Sequence, residues 1–208
     1  MGVVVCQGDH TIVKLMVIDC GGAGLRSRHR SKFLHQGWAS QLTWKSTEAH
    51  ILSLERRGQL VPFEPGLVPG KAYRRRLWLH PALAKWVATQ GLDASQQRYF
   101  EGVRALLKAF VTGGDFDDDE VLWELTTNLG SWYEFRITFH PQHRILGGFL
   151  RPGEFIALAH GTRKDLDKKG FAPTIGRAAK LWNSLSFGSR PLTTTRSSLL
   201  EDFHHDED

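Results

Sequence analysis

The fold is decided by residues 132–160, WYEFRITFHPQHRILGGFLRPGEFIALAH. Three apolar runs in this stretch predict three strands, Trp132–Phe139, Arg144–Leu150 and Phe155–His160. The segments between the runs are short, and each contains a proline, which is typical of turns. Because a parallel crossover needs about a dozen residues or more, connections this short require antiparallel neighbours. The stretch therefore predicts an antiparallel meander.

The segments that flank the meander predict two further strands and three helices. Val121–Leu125 and Arg74–Leu79 are strand candidates. Between them, Pro81 predicts the start of one helix, because a proline at the first helical position loses no hydrogen bond. Asp93 is expected to cap a second helix with one apolar face, and Pro173–Leu185 predicts the last helix. The predicted fold class is α+β, a small antiparallel sheet packed by two N-terminal helices and a C-terminal helix.

The distribution of proline, glycine and charge predicts the domain organisation. Residues 61–70 contain three prolines and two glycines, which indicates a linker. We therefore interpret residues 1–70 as an N-terminal extension, with one short helix near Ser46–Arg57, and residues 71–188 as the main domain. The polar and acidic residues 189–208 predict a disordered tail. The role of the extension stays open: an interaction arm, a built-in inhibitor and an upstream start codon are all consistent with it.

Composition favours a globular protein of a reducing compartment. Of the 208 residues, 41% are hydrophobic and 24% are charged, which excludes a disordered chain. The apolar run Ile12–Ile18 is too short to span a bilayer, and its basic cluster follows it, unlike that of a secretory signal. The two cysteines, Cys6 and Cys20, lack the spacing of a metal site. We expect a cytoplasmic protein without a membrane segment, a structural disulfide, a metal or a cofactor.

The positive charge is concentrated in the middle of the chain. Residues 71–190 hold eighteen Lys and Arg against twelve Asp and Glu, a net +6, whereas residues 191–208 hold one against five, a net −4. The whole chain carries +5. A basic domain of this kind favours a polyanionic partner such as nucleic acid.

Several short motifs recur in a recognisable order between about residues 73 and 185, roughly half of the chain. They are Leu122-Trp123-Glu124-Leu125, Tyr133-Glu134-Phe135-Arg136-Ile137, His143-Arg144-Ile145-Leu146, Glu154–Lys164 and Pro173–Ala178. In this order and spacing they resemble the RelE/ParE toxin superfamily, most closely its HigB-like, phage-associated branch.

The resemblance implies the toxin of a type II toxin–antitoxin system. Such a toxin is a metal-independent endoribonuclease that cleaves mRNA on the ribosome in the cytoplasm and inhibits translation. Its implied partners are mRNA, the ribosome and a cognate antitoxin, which in this branch is usually a helix-turn-helix DNA-binding protein. ParE-type relatives act on DNA gyrase instead. The alternative is therefore a non-catalytic binding module that inhibits gyrase or a host factor.

Metal-free RNA cleavage needs cations that orient the scissile phosphate and stabilise its developing charge, and guanidinium groups fit phosphate oxygens in pairs. Arg144 matches the strand arginine that the family uses at the phosphate. Arg136 lies on the preceding strand, where cross-strand proximity to Arg144 is expected. Arg163 and Lys164 follow the last strand, and we expect a loop to carry them to the rim of the site. The resemblance implies a basic substrate contact in that segment.

Three histidines are able to exchange a proton near neutral pH. His160, at the end of the last strand, is a candidate catalytic residue, and a hydrogen-bonded structural histidine is the alternative reading. His143 precedes Arg144, and adjacent strand residues point to opposite faces, so the two are not expected to share a site. His140 lies in the turn between two strands.

Other residues are candidates for contacts with RNA. Lys168 and Lys169 extend the basic segment, although a solvated turn explains them equally. Most of the tryptophans fall at core-facing positions, and Trp132 is the exception that we consider as a base-stacking platform. Tyr133 is a further candidate for protonating the leaving oxygen.

Overall fold

The computed structural model describes residues 47–67, 69–91, 93–116, 121–127 and 130–202. Every described residue lies in one compact unit, Ala39–Asp208. No helix within the described ranges has the length and apolar character needed to cross a membrane.

The described residues form six helices and six strands. The helices are α1 (residues 47–56), α2 (Pro81–Val87), α3 (Ala94–Val111), α4 (Arg163–Lys169), α5 (Ala172–Ser184) and α6 (Arg196–Leu199). The strands are β1 (Val61–Pro62), β2 (Arg76–Leu79), β3 (Leu122–Thr127), β4 (Gly130–Ile137), β5 (His143–Arg151) and β6 (Glu154–Thr162).

All six strands form one sheet in the order β1-β2-β6-β5-β4-β3. Strands β3 to β6 form the predicted antiparallel meander. The expectation of a wholly antiparallel sheet is wrong, because β2 runs parallel to β6. Only the strands of the meander are joined by short turns. The connection from β2 to β3 contains α2 and α3, and it is long enough to let β2 pair with a strand other than its neighbour in sequence.

Local sequence signals explain where the helices begin. The carboxylate of Asp93 accepts hydrogen bonds from the backbone N–H groups of Ser95 and Gln96, at 2.8 and 2.9 Å, as predicted for the start of α3. Pro81 occupies the first turn of α2, also as predicted. The class α+β is therefore confirmed, and so are the four predicted helices, which correspond to α1, α2, α3 and α5; the sequence did not predict α4 and α6.

Helices cover both faces of the sheet. The first face packs against α2, α3 and α6, around a core rich in phenylalanine that includes Phe110, Phe135 and Phe155. The second face packs against α1, α4 and α5, around Trp132 and Trp182. Helices thus bury each face of the sheet, and the sheet is the middle one of three layers.

Two segments that the sequence assigned outside the main domain belong to it. Strand β1, within the predicted linker, pairs with β2, and Ile51 and Leu54 of α1 are 1% exposed in the second core. In the predicted disordered tail, Leu199 of α6 is fully buried in the first core. In both cases a few apolar residues are buried only against the assembled sheet: β1 pairs with β2, and Leu199 packs into the first core.

A β-bulge interrupts the pairing of β5 with β6. Leu146 lies opposite Ala159 and Gly147 opposite Ala157, so Leu158 is an extra residue in β6. A Cβ atom on Gly147 would lie 2.1 Å from the carbonyl oxygen of Ile156, which explains the glycine at this close approach.

Candidate nucleic-acid interface

Two arginines lie directly opposite each other near one end of the sheet. Arg136 of β4 pairs in register with Arg144 of β5, as the sequence predicted from neighbouring strands. Both side chains point to the second face, because they alternate with Phe135 and Ile145 of the first core. Like charges opposite each other on a sheet are destabilising, so this pair needs a compensating group.

A buried carboxylate compensates the pair. Glu134, two residues before Arg136 on the same face, has a side chain that is 1% exposed. Its Oε1 atom accepts a hydrogen bond from Nε of Arg136 at 2.7 Å and lies 3.6 Å from Nε of Arg144. The three groups together carry a net charge of +1. Sequence reasoning missed Glu134, although its spacing of two from Arg136 places both on one side of the strand.

Arg144 is more enclosed than a surface phosphate ligand. Its side chain is 9% exposed, and Nη1 donates a hydrogen bond to the carbonyl oxygen of His143 at 3.0 Å. Burial lowers the pKa of Arg144; the charge of Glu134 opposes this, while the charges of Arg136 and Arg163 lower it further. Arg144 therefore offers a small part of its guanidinium to a ligand, and Arg136, at 26% exposure, offers more.

The expected basic loop after β6 is a helix. Arg163 begins α4, Thr162 caps it, and Lys168 and Lys169 lie in its last turn. This part of the expectation is wrong, because the hydroxyl oxygen of Thr162 accepts a hydrogen bond from the backbone N–H of Asp165 at 3.1 Å and starts a helix there.

An open groove lies between α4 and the turn that joins β4 to β5. His140 and Gln142 line one side, and Arg163, Lys164 and Lys168 line the other. All three cations are exposed. Nη1 of Arg163 donates a hydrogen bond to the side-chain oxygen of Gln142 at 3.0 Å, which ties the two sides together.

Trp123 is an aromatic residue of this surface that the sequence did not single out. It lies opposite Glu134 in the pairing of β3 with β4, on the same face as Arg136. Its side chain is 37% exposed, and the Arg136 guanidinium lies 4.3 Å from the centre of the ring. The candidate named from the sequence, Trp132, is 1% exposed and packs edge-on against Trp182 at 6.0 Å, so it is a core residue.

His160 lies on the opposite face of the sheet from Arg144. It pairs with Ile145 and stacks on Trp86 of α2, with the ring centres 4.3 Å apart. Burial, and secondarily the charges of His143 and Arg177, lower the pKa of His160 to about 4. Among the described residues no hydrogen-bond partner reaches its buried Nδ1. The structure therefore does not bring His160 to the arginines.

The remaining proton-transfer candidates also lie away from the arginines. His143 faces α3, where the Tyr99 hydroxyl and Nδ1 of the imidazole are 2.6 Å apart, which confirms that it does not share a face with Arg144. Tyr133 is 1% exposed in the first core, and burial raises its pKa to about 12. His140 is the histidine that lines the groove.

These residues form a surface that we call the basic face: Trp123, Arg136, Arg144, Arg163 and Lys164. It can hold anionic oxygens through guanidinium groups and present an aromatic ring beside them. In the described part of the chain, no group of three or more His, Cys, Asp or Glu side chains is placed to hold a metal ion. Comparison with known proteins gives no match to a protein family, to a curated protein or to a solved structure.

Proposed function

We propose that this chain is an RNA-cleaving toxin of the RelE/HigB type, which acts on mRNA at the ribosome in the cytoplasm and is neutralised by a helix-turn-helix antitoxin. The observation that carries the proposal is the in-register pair of Arg136 and Arg144, with Arg163 two residues beyond Gly161, the residue of β6 that lies opposite Arg144. Three guanidinium groups at one end of a sheet suit the anionic oxygens of a phosphodiester backbone.

The chemistry that fits this surface is attack by the RNA on itself. The 2′-oxygen forms a bond to the adjacent phosphorus, the bond to the 5′-oxygen breaks, and the 2′-proton leaves while the 5′-oxygen gains one. Arg136 and Arg163 hold the non-bridging oxygens and stabilise the extra negative charge of the transition state. Arg144 is mostly buried, so it adds positive charge from beneath the protein surface, and Glu134 holds it in place.

His140 is the residue that we assign to proton transfer. It is exposed in the groove beside Arg163, and an imidazole is able to accept and donate a proton near neutral pH. His160 and Tyr133 are not part of this assignment, because the one lies on the opposite face and the other is enclosed in the core.

A second candidate function is a binding module that inhibits gyrase or a host factor without cutting RNA. The observation in its favour is that Glu134 already engages both strand arginines, which leaves less guanidinium free for a transition state. On this reading the basic face binds an acidic protein surface.

Purified protein incubated with translating ribosomes and a defined message, analysed by primer extension, separates the two functions. We expect new 5′ ends with the parent protein, and a loss of at least about tenfold in cleavage for Arg136→Ala and for Arg163→Ala. The matched control is Arg98→Ala, which removes an exposed arginine from α3. Absence of cleavage by the parent, together with growth arrest when it is expressed, would favour the binding module.

A further inference from the structure

Trp123 and Arg136 form a composite surface at the edge of the sheet. The guanidinium lies over the indole at 4.3 Å, and both side chains are partly exposed. Strand β3 is outermost in the order of the described strands, and the Arg136 guanidinium of β4 lies over the indole of Trp123. An apolar ring exposed in this position, beside a cation, is a surface on which a flat ligand can stack.

The neighbouring charges indicate what kind of flat ligand fits. Arg136 lies between Trp123 on one side and Arg144 on the other, on three adjacent strands. Strands in a sheet are about 4.8 Å apart, so a stacking surface, the partly exposed guanidinium of Arg136 and the mostly buried one of Arg144 occupy a row about 10 Å wide. Alternating flat bases and anionic phosphates are the repeating unit of a nucleic acid strand.

The exposed ring also indicates the form of the nucleic acid. In a duplex the faces of the bases are covered by their neighbours, and a side chain at a sheet edge does not reach them. In a single strand the bases are able to turn outwards and stack on aromatic residues. The geometry thus distinguishes single-stranded from double-stranded substrate.

We infer that Trp123 is a base-stacking subsite, which binds one nucleobase of single-stranded RNA next to the phosphate held by Arg136. The inference rests on the proposed function for the choice of RNA. The subsite makes the protein select single-stranded over double-stranded RNA. It also explains why Trp123 is exposed on an edge strand, although its neighbour Leu122 is buried in the core.

The test uses the full chain and a fluorescein-labelled 2′-O-methyl RNA decamer, which keeps bases and phosphates but lacks the 2′-hydroxyl nucleophile. Binding is measured by fluorescence anisotropy against this decamer, its duplex, and an abasic oligomer with the same number of phosphates. We expect Trp123→Ala to weaken binding of the single strand by about tenfold, within the range found for one base stacked on an aromatic residue. Trp123→Phe keeps most of the affinity, and binding of the abasic oligomer stays within about twofold of the parent.

Matched controls separate stacking from other effects of the substitution. Tyr73→Ala removes another exposed aromatic ring, 44% exposed and outside the basic face, and is expected to leave all three affinities unchanged. Far-ultraviolet circular dichroism checks that each variant is folded. Equal losses for the single strand and the abasic oligomer would overturn the inference, because Trp123 would then act only by positioning Arg136. Unchanged binding of the single strand by Trp123→Ala would overturn it as well, as would a parent protein that does not bind the single strand.

The outcome for the proposed function is read separately, from cleavage of unmodified message by ribosomes. If the parent cleaves the message and Trp123→Ala binds the single strand as tightly as the parent, the proposed toxin activity is retained and the proposed subsite is refuted. If the parent does not cleave the message but its affinity for the single strand depends on Trp123, the nuclease activity is refuted and the subsite is supported.

Discussion

Replacing Glu134 by glutamine tests whether the basic face depends on its buried carboxylate. The substitution keeps the shape and one hydrogen-bond acceptor but removes the negative charge from between Arg136 and Arg144. Coulomb's law gives about 4–5 kcal/mol for unit charges separated as Glu134 and Arg144 are, at an effective dielectric constant of about 20. Breaking a buried ion pair costs about 3–5 kcal/mol, and the remaining amide oxygen places this case near the lower end. We expect the free energy of unfolding to fall by about 3 kcal/mol.

The assay is urea denaturation followed by circular dichroism, with thermal melting as a second readout. For a domain of this size, a loss of about 3 kcal/mol corresponds to a decrease in Tm of about 6–12 °C. The control is Asp167→Asn, whose partner Arg163 is 52% exposed, and its expected cost is below about 1 kcal/mol. Adding Arg144→Met to Glu134→Gln should recover part of the loss, because neither charge is then buried alone. A Glu134→Gln protein within about 0.5 kcal/mol of the parent would refute the reasoning.

Three further substitutions test other parts of the structure. The pKa of His160 is about 4 in the folded protein against 6.5 ordinarily, so the unfolded chain binds a proton that the folded chain does not between these pH values. Stability therefore falls as pH decreases from 6.5 to 4, and pH-dependent denaturation should show a smaller fall for His160→Phe; an equal fall in the parent and in His160→Phe would contradict this. Arg163→Ala should reduce the salt dependence of RNA affinity by about one unit in the log–log slope, and an unchanged slope would remove Arg163 from the phosphate contacts. Leu199→Ala should destabilise by about 3 kcal/mol in urea denaturation, because the side chain is fully buried, whereas a disordered tail would show no effect.

The parts of the fold that sequence predicted are those with local causes. Asp93 caps α3 through bonds to residues two and three positions away, and the turns of the meander force antiparallel pairing over a few residues. The pairing of β1 with β2, and the burial of Leu199, depend instead on surfaces that exist only after the sheet has formed. Each of these segments is only two to four residues long, which is too short for a periodic pattern to predict it.

The sequence predicted that Arg136 and Arg144 lie close together, but not the face on which His160 lies or the burial of Trp132. Alternation along a regular strand places Arg136 with Glu134 and Arg144 correctly. The same rule applied from Leu158 would put His160 on the side of Ile156, but the bulge at Leu158 inserts one residue and turns His160 to the other face. Which of the two tryptophans is exposed depends on the part of the second face that α5 covers: it covers Trp132 and leaves Trp123 exposed. No local sequence pattern contains that information.

The parallel pairing of β2 with β6 has a consequence for synthesis of the chain. Leu79 pairs with Ala157, so β2 cannot pair with β6 until the other three strands of the meander have been synthesised. At about 5–20 residues per second, the interval between these two residues lasts several seconds. During that time the apolar side chains of α1 and β2, which end up in the core, are exposed on the nascent chain. We expect chaperone binding to concentrate in this window, and to end when β6 has emerged.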